Sequence, residues 1–190
     1  IILRQIALAH ALRCRLRGQD PFEDIERLGG KAAVEAASRG SNRPNALLED
    51  ISRIVSGARG EGKIDTVQQG MFERVMMDIA NAQGGMERIK NTPLPNGFEF
   101  MPNLFTRLFC VLLPISLVET LDLFTPIGST LIGMIFLAAL RIGHDLTDPF
   151  ANTVHDVPLS TMCRTIEIDL LEAIEREAPP PMPPVHGTQW

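Results

Sequence analysis

Gly57-Ala58-Arg59-Gly60-Glu61-Gly62-Lys63 places two glycines around four residues and follows them with lysine. That is the spacing of a loop whose backbone N–H groups cradle phosphates. The next residue in such a loop is Ser or Thr, which holds Mg²⁺; here it is Ile64. The loop also requires a buried strand before it, and Leu47, Ile51, Ile54, Val55 and Ala58 recur at helical spacing instead. A helix–helix connection is the first reading of Gly57–Lys63, with nucleotide binding as an alternative.

The remaining reactive residues are dispersed. His144-Asp145 and His155-Asp156 are adjacent pairs, and neighbouring positions on a helix point apart. No HExxH and no GxSxG elbow occurs. Asp148, Asn152 and Asp156 offer oxygens around His155, but Ca²⁺ takes six to eight. Cys14, Cys110 and Cys163 are far apart, odd in number and without CxxC, which suits a reducing compartment and no metal site. Met71, Met76, Met77 and Met86 fall near helical spacing and read as core filler. No catalytic set assembles, so no enzyme, cofactor or bound metal is expected.

The elements that would position these residues are helical throughout, and an all-α fold is expected. Ile1–Arg17 reads as a basic amphipathic helix, without the pattern of a signal peptide. Gly18–Pro21 ends it, and two short helices follow on either side of Gly29-Gly30. Ser41 or Asn42 caps the next helix, with Pro44 in its first turn. From Asp65 a longer helix carries Val67, Met71, Val75, Ile79 and Ala82 as one stripe. Near the end, Ser160 caps a helix with Met162, Ile166, Leu170 and Ile174 inward and Glu167, Asp169, Glu172 and Glu175 outward.

Charge and apolar content change along the chain. The net charge is −5, but residues 1–95 carry 14 basic and 12 acidic side chains, against 4 and 11 in residues 96–190. Neither part has the clustered basic surface of a nucleic-acid binder. Seven of the nine Phe fall between Phe98 and Phe150. Leu123–Leu140 is an 18-residue run without a charge, at the lower limit for crossing about 30 Å of hydrocarbon. Nine of its residues are Leu, Ile or Phe, each favouring insertion by roughly 0.3–0.6 kcal/mol. Ser129 and Gly133 within it have the small-xxx-small spacing of closely packed membrane helices.

Leu108–Val118 is apolar but short, so a span there must begin near Met101, with Arg107 snorkelling and Pro114 kinking the helix. The turn Glu119–Asp122 is acidic, while Arg88, Lys90, Arg107 and Arg141 flank the pair. The positive-inside rule then puts both ends of the hairpin in the cytoplasm. The expected organisation is a cytosolic helical region over 1–95, a membrane hairpin over 96–143, a cytosolic helix over 144–177 and a proline-rich tail over 178–190.

Several motifs carry a resemblance to a known family. Gly84–Pro95, with Pro93 in its Thr-Pro-Leu-Pro, resembles the segment leading into the last membrane helices of bacterial bestrophins. So does Leu112-Leu113-Pro114-Ile115-Ser116-Leu117-Val118, followed by Phe124-Thr125-Pro126. Asp148-Pro149-Phe150, Asp156-Val157-Pro158-Leu159 and Cys163–Leu170 are similar to the post-membrane signature. These cover Gln83–Ile174 in order; Arg4-Gln5-Ile6-Ala7 and Arg43-Pro44 match more loosely.

The resemblance implies a homopentameric channel in the inner membrane of a bacterium, passing chloride or other small anions, with further copies and the lipid bilayer as partners. It implies four membrane helices per subunit, two of them upstream of Ile1. It maps a cytosolic pore constriction to Asn45, with Leu47 and Leu48 as the neighbouring registers; the family usually has an aliphatic residue there. The acidic calcium clasp of animal members has no counterpart in Ala151-Asn152-Thr153-Val154-His155, which implies a channel not gated by calcium. A soluble helical scaffold, with the hairpin as its core, remains the alternative alongside nucleotide binding.

Overall fold

The computed structural model describes residues 1–92, 95–152 and 156–183, and no strand occurs among them. Its helices are α1 (Ile2–Arg17), α2 (Phe22–Ser38), α3 (Arg43–Gly60), α4 (Thr66–Asn91), α5 (Asn96–Leu121), α6 (Thr125–Asp145) and α7 (Leu159–Glu172). A 3₁₀ turn, Asp122–Phe124, joins α5 to α6. The fold is all-α. Two compact units form, one holding α1–α4 and α7, the other α5 and α6.

α1 is the central helix of the first unit, packed against α2, α3, α4 and α7. Ile6, Ala7, Ala11 and Cys14 are buried along it, and small Ala side chains let neighbouring helices approach. With Ile25, Leu47, Ile51 and Val55 they form the core, each large aliphatic contributing roughly 1.5–3 kcal/mol on burial. The basic residues of α1 do not form a solvated face. Arg4 Nε donates to Asp50 on α3 at 2.9 Å, Arg13 to Asp24 on α2 at 2.6 Å, Arg15 to Glu87 on α4 at 3.0 Å and Arg17 to Ser160 on α7 at 2.6 Å. Each head tethers a different neighbouring helix.

The breaks fall where backbone chemistry requires them. Gly18 ends α1 in the left-handed region at φ 67°. α2 is kinked at Gly30, whose φ of 68° lies where L side chains rarely go. A Cβ on Gly29 would come within 2.7 Å of Arg4 Nη1, which donates to the Gly29 carbonyl. Asn42 caps α3 by accepting from the Asn45 N–H at 3.2 Å, with Pro44 in the first turn. α3 runs on through Gly57 and Gly60, so the connection to α4 is confined to residues 61–65.

Two helix faces differ from the periodicity-based expectation. On α4, Met76, Ile79, Ala80 and Gln83 face the core, leaving Val67, Met71, Val75 and Met77 bare. Met71 and Met77 are therefore surface residues, not filler. On α7 the buried positions are Leu159, Cys163, Glu167 and Leu171, while Met162 and Ile166 are exposed. Ser160 lies inside the first turn, and its hydroxyl oxygen accepts from Arg17 in place of capping the helix. Ala178, beyond α7, packs against the edge of the core.

In the second unit, α5 and α6 lie antiparallel. Phe109 and Phe136 meet with ring centroids 4.7 Å apart. Gly133 is buried, and a Cβ there would sit 3.4 Å from Cys110 Sγ, so this small residue serves the hairpin's own packing. α5 begins at Asn96 and continues through Pro102 and Pro114, which gives it the length that Leu108–Val118 lacks alone.

Candidate functional site

The three positions mapped to the constriction separate on α3. Asn45 is exposed in the first turn, where its Nδ2 donates to Glu49 Oε1 at 3.3 Å. Leu47 is wholly buried and Leu48 nearly so, both within the helical core. Of the three, only Asn45 presents its side chain to solvent, and it does so at the positive end of the α3 dipole. The shared local signal of a helix start could not separate them; packing against α1 and α2 does.

The motif positions have structural roles where they are described. Pro93 lies outside the described residues. Pro114 sits inside α5. Asp148 and Pro149 are half-buried in the turn after α6, and Phe150 is buried against Leu16 and Leu159. Gly57–Lys63 forms the last turn of α3 and the start of the connection, where Lys63 Nζ pairs with Glu61 at 2.6 Å.

A buried polar cluster escaped the sequence reading. Glu167 is fully buried on α7, where helical periodicity had placed it outward. Its Oε1 accepts from Arg27 Nη1 at 2.5 Å, its Oε2 lies 3.0 Å from His10 Nε2, and Arg164 Nη1 approaches to 3.5 Å. His10 is 2% exposed and its Nδ1 is 3.7 Å from Asp24 Oδ2, which is also held by Arg13. Burial opposes ionisation of Glu167, but the hydrogen bond and charge of Arg27, with His10 and Arg164, outweigh it and hold the carboxyl below its usual range. Burial, reinforced by Arg13 and Arg27, lowers His10 despite Asp24 and Glu167. Cys163 donates to the Ala9 carbonyl at 3.4 Å, and burial pushes its thiol up to about 11, an unreactive state. The signal for this cluster was available only as one of three acidic residues on α7.

The second unit has the reverse character. Phe100–Asp145 is long and apolar enough to cross a membrane, and its surface is bare: Ile115, Ile127 and Phe124 are each about two-thirds exposed. Contiguous apolar surface on this scale marks contact with lipid or protein.

Comparison with known proteins agrees with this arrangement. Residues 1–172 match the family model described as bacterial/fungal bestrophin protein. The voltage-dependent anion channel-forming protein YneE of Salmonella typhimurium is 32% identical over 176 residues, 92% of this chain and 58% of that protein. The voltage-dependent anion channel-forming protein mll4386 of Mesorhizobium japonicum is 30% identical over 184 residues, 97% and 59%. The chain thus spans just under six-tenths of these relatives' length. A crystal structure of a bacterial bestrophin homolog from Klebsiella pneumoniae superposes with a TM-score of 0.87 at 31% identity, covering 93% of this chain and 65% of that one. The chain belongs to the bacterial and fungal bestrophin family.

Proposed function

We propose that the chain forms part of a homopentameric channel that passes chloride and other small anions passively across the inner membrane of a bacterium. The observation that carries this reading is the pairing of a helical unit with a buried, ion-paired core and a helical hairpin whose apolar surface is uncovered. The relatives named as anion channel-forming proteins supply the class of cargo. The hairpin crosses the bilayer, its acidic Glu119–Asp122 turn outside and its Arg107 and Arg141 ends in the cytoplasm.

The bare face of α4, with Val67, Met71 and Val75, supports association with further copies. The constriction is assigned to Asn45, whose exposure at the start of α3 leaves its amide available to replace part of an ion's hydration shell. No catalytic step is assigned. A soluble scaffold would need its apolar hairpin buried, and only about a tenth (11%) of its apolar window is buried. Reconstituting the full-length protein in planar bilayers under a KCl gradient tests the reading. A reversal potential near that of Cl⁻ is expected; a protein that binds membranes yet passes no current overturns it.

A further inference from the structure

Two stripes of side chains face one another at the open end of the α5–α6 hairpin. Phe100, Asn103, Leu104 and Arg107 follow one another at helical spacing on α5, and Leu137, Leu140, Arg141 and His144 do so on α6. Together they line a groove of about 710 Å³. Phe100, Leu104, Leu137 and Leu140 form the apolar part of its wall, while Asn103, His144 and two guanidinium groups form the polar part. Among the described residues Arg107 has no ion-pair partner, and Arg141 Nε reaches Asp145 Oδ1 at 3.2 Å while remaining largely exposed.

At about 1.5 Å rise per residue, Arg107 and Arg141 lie about 21 and 24 Å along their helices from the turn. In a hydrocarbon layer about 30 Å thick, that is the depth at which an arginine snorkels toward the inner headgroups. A cation left against Phe100, Leu104, Leu137 and Leu140 at this depth is costly without an anion. Asp145 neutralises at most one of the two, so the groove keeps net positive character.

We propose that this groove binds the phosphate headgroup of an anionic phospholipid, clamped by Arg107 and Arg141, with its acyl chains along the bare apolar faces at Phe105 and Leu108. The proposal rests on the hairpin crossing the bilayer. Phosphate suits the site because each guanidinium fork can donate two parallel hydrogen bonds. The site couples the charge of the inner leaflet to the packing of α5 on α6.

The test uses full-length protein, extracted in mild detergent and stripped of lipid. Phosphatidylglycerol is expected to raise its melting temperature and to be retained in native mass spectra, whereas phosphatidylcholine does neither. Arg107→Gln and Arg141→Gln should each cut retained phosphatidylglycerol about fivefold, the effect of one cationic contact with an anionic surface. Arg→Lys at both positions should lose less than Arg→Gln, because the charge stays while the bidentate fork is lost. Equal effects of the two lipids on the wild-type protein overturn the proposal without recourse to any variant. Protection by inorganic phosphate equal to that by phosphatidylglycerol overturns it as well, by making the site one for free anions. Extraction of the protein without detergent would instead bring down the membrane reading beneath it.

Discussion

His10 Nε2 lies 3.0 Å from Glu167 Oε2, joining residues 157 positions apart and locking α7 onto α1. Arg27 completes the junction from α2. Glu167→Ala would leave Arg27, Arg164 and His10 without their shared acceptor. Breaking a buried ion pair from one side costs about 3–5 kcal/mol. Arg27 is nearly half exposed and can rehydrate, which places the expected loss at the lower end. Denaturant unfolding of the variant measures it, and a change within about 0.5 kcal/mol would show the cluster to be energetically idle.

The same pair makes stability depend on pH. Burial holds His10 below 6.5, so the unfolded chain binds more protons between the folded value and 6.5, and stability rises with pH through that window. Glu167 is held below 4.5, so its contribution is present above that value and is lost as pH falls further. His10→Gln should flatten the melting temperature against pH just below 6.5 and leave the acid limb in place. An unchanged upper limb would mean that His10 does not titrate there.

Asn45 and Leu47 are two residues apart and should respond differently. Leu47→Ala should destabilise by about 2–5 kcal/mol, because it opens a cavity in a wholly buried position. Asn45→Ile should leave folding intact and sharpen the permeability ratios among anions, since an aliphatic ring sheds water where an amide replaces it. Bi-ionic reversal potentials decide the matter. If no ratio moves, the aperture is not at Asn45.

Association through α4 can be challenged at its bare face. Met71→Glu with Val75→Glu adds two charges to each copy on a surface that a second copy would cover. Light scattering in detergent, corrected for the micelle, should show five copies for wild-type protein and smaller species for the variant. A pentamer that survives both charges would place the subunit contact elsewhere.

The helices, their breaks and the apolar hairpin are legible in the order of residues, because these depend on neighbours a few residues away. Gly18, Gly30 and Pro44 act through their own backbone geometry, Asn42 acts through a side-chain cap three residues away, and the charge-free run from Leu123 to Leu140 needs no partner to be apolar. Which face of each helix turns inward depended on the fold. The inward stripe of α7 begins at Leu159 instead of Met162, and that rotation carries Glu167 from water to the core. Periodicity could not reveal it, since a buried carboxylate is stable only where distant partners meet it, and these are Arg27 from α2 and His10 from α1. For the same reason Arg4, Arg13, Arg15 and Arg17 read as one basic face until each found a partner on a different helix. The groove at the open end of the hairpin also required the tertiary structure, because neither stripe forms a pocket until α5 and α6 bring Arg107 and Arg141 to the same depth.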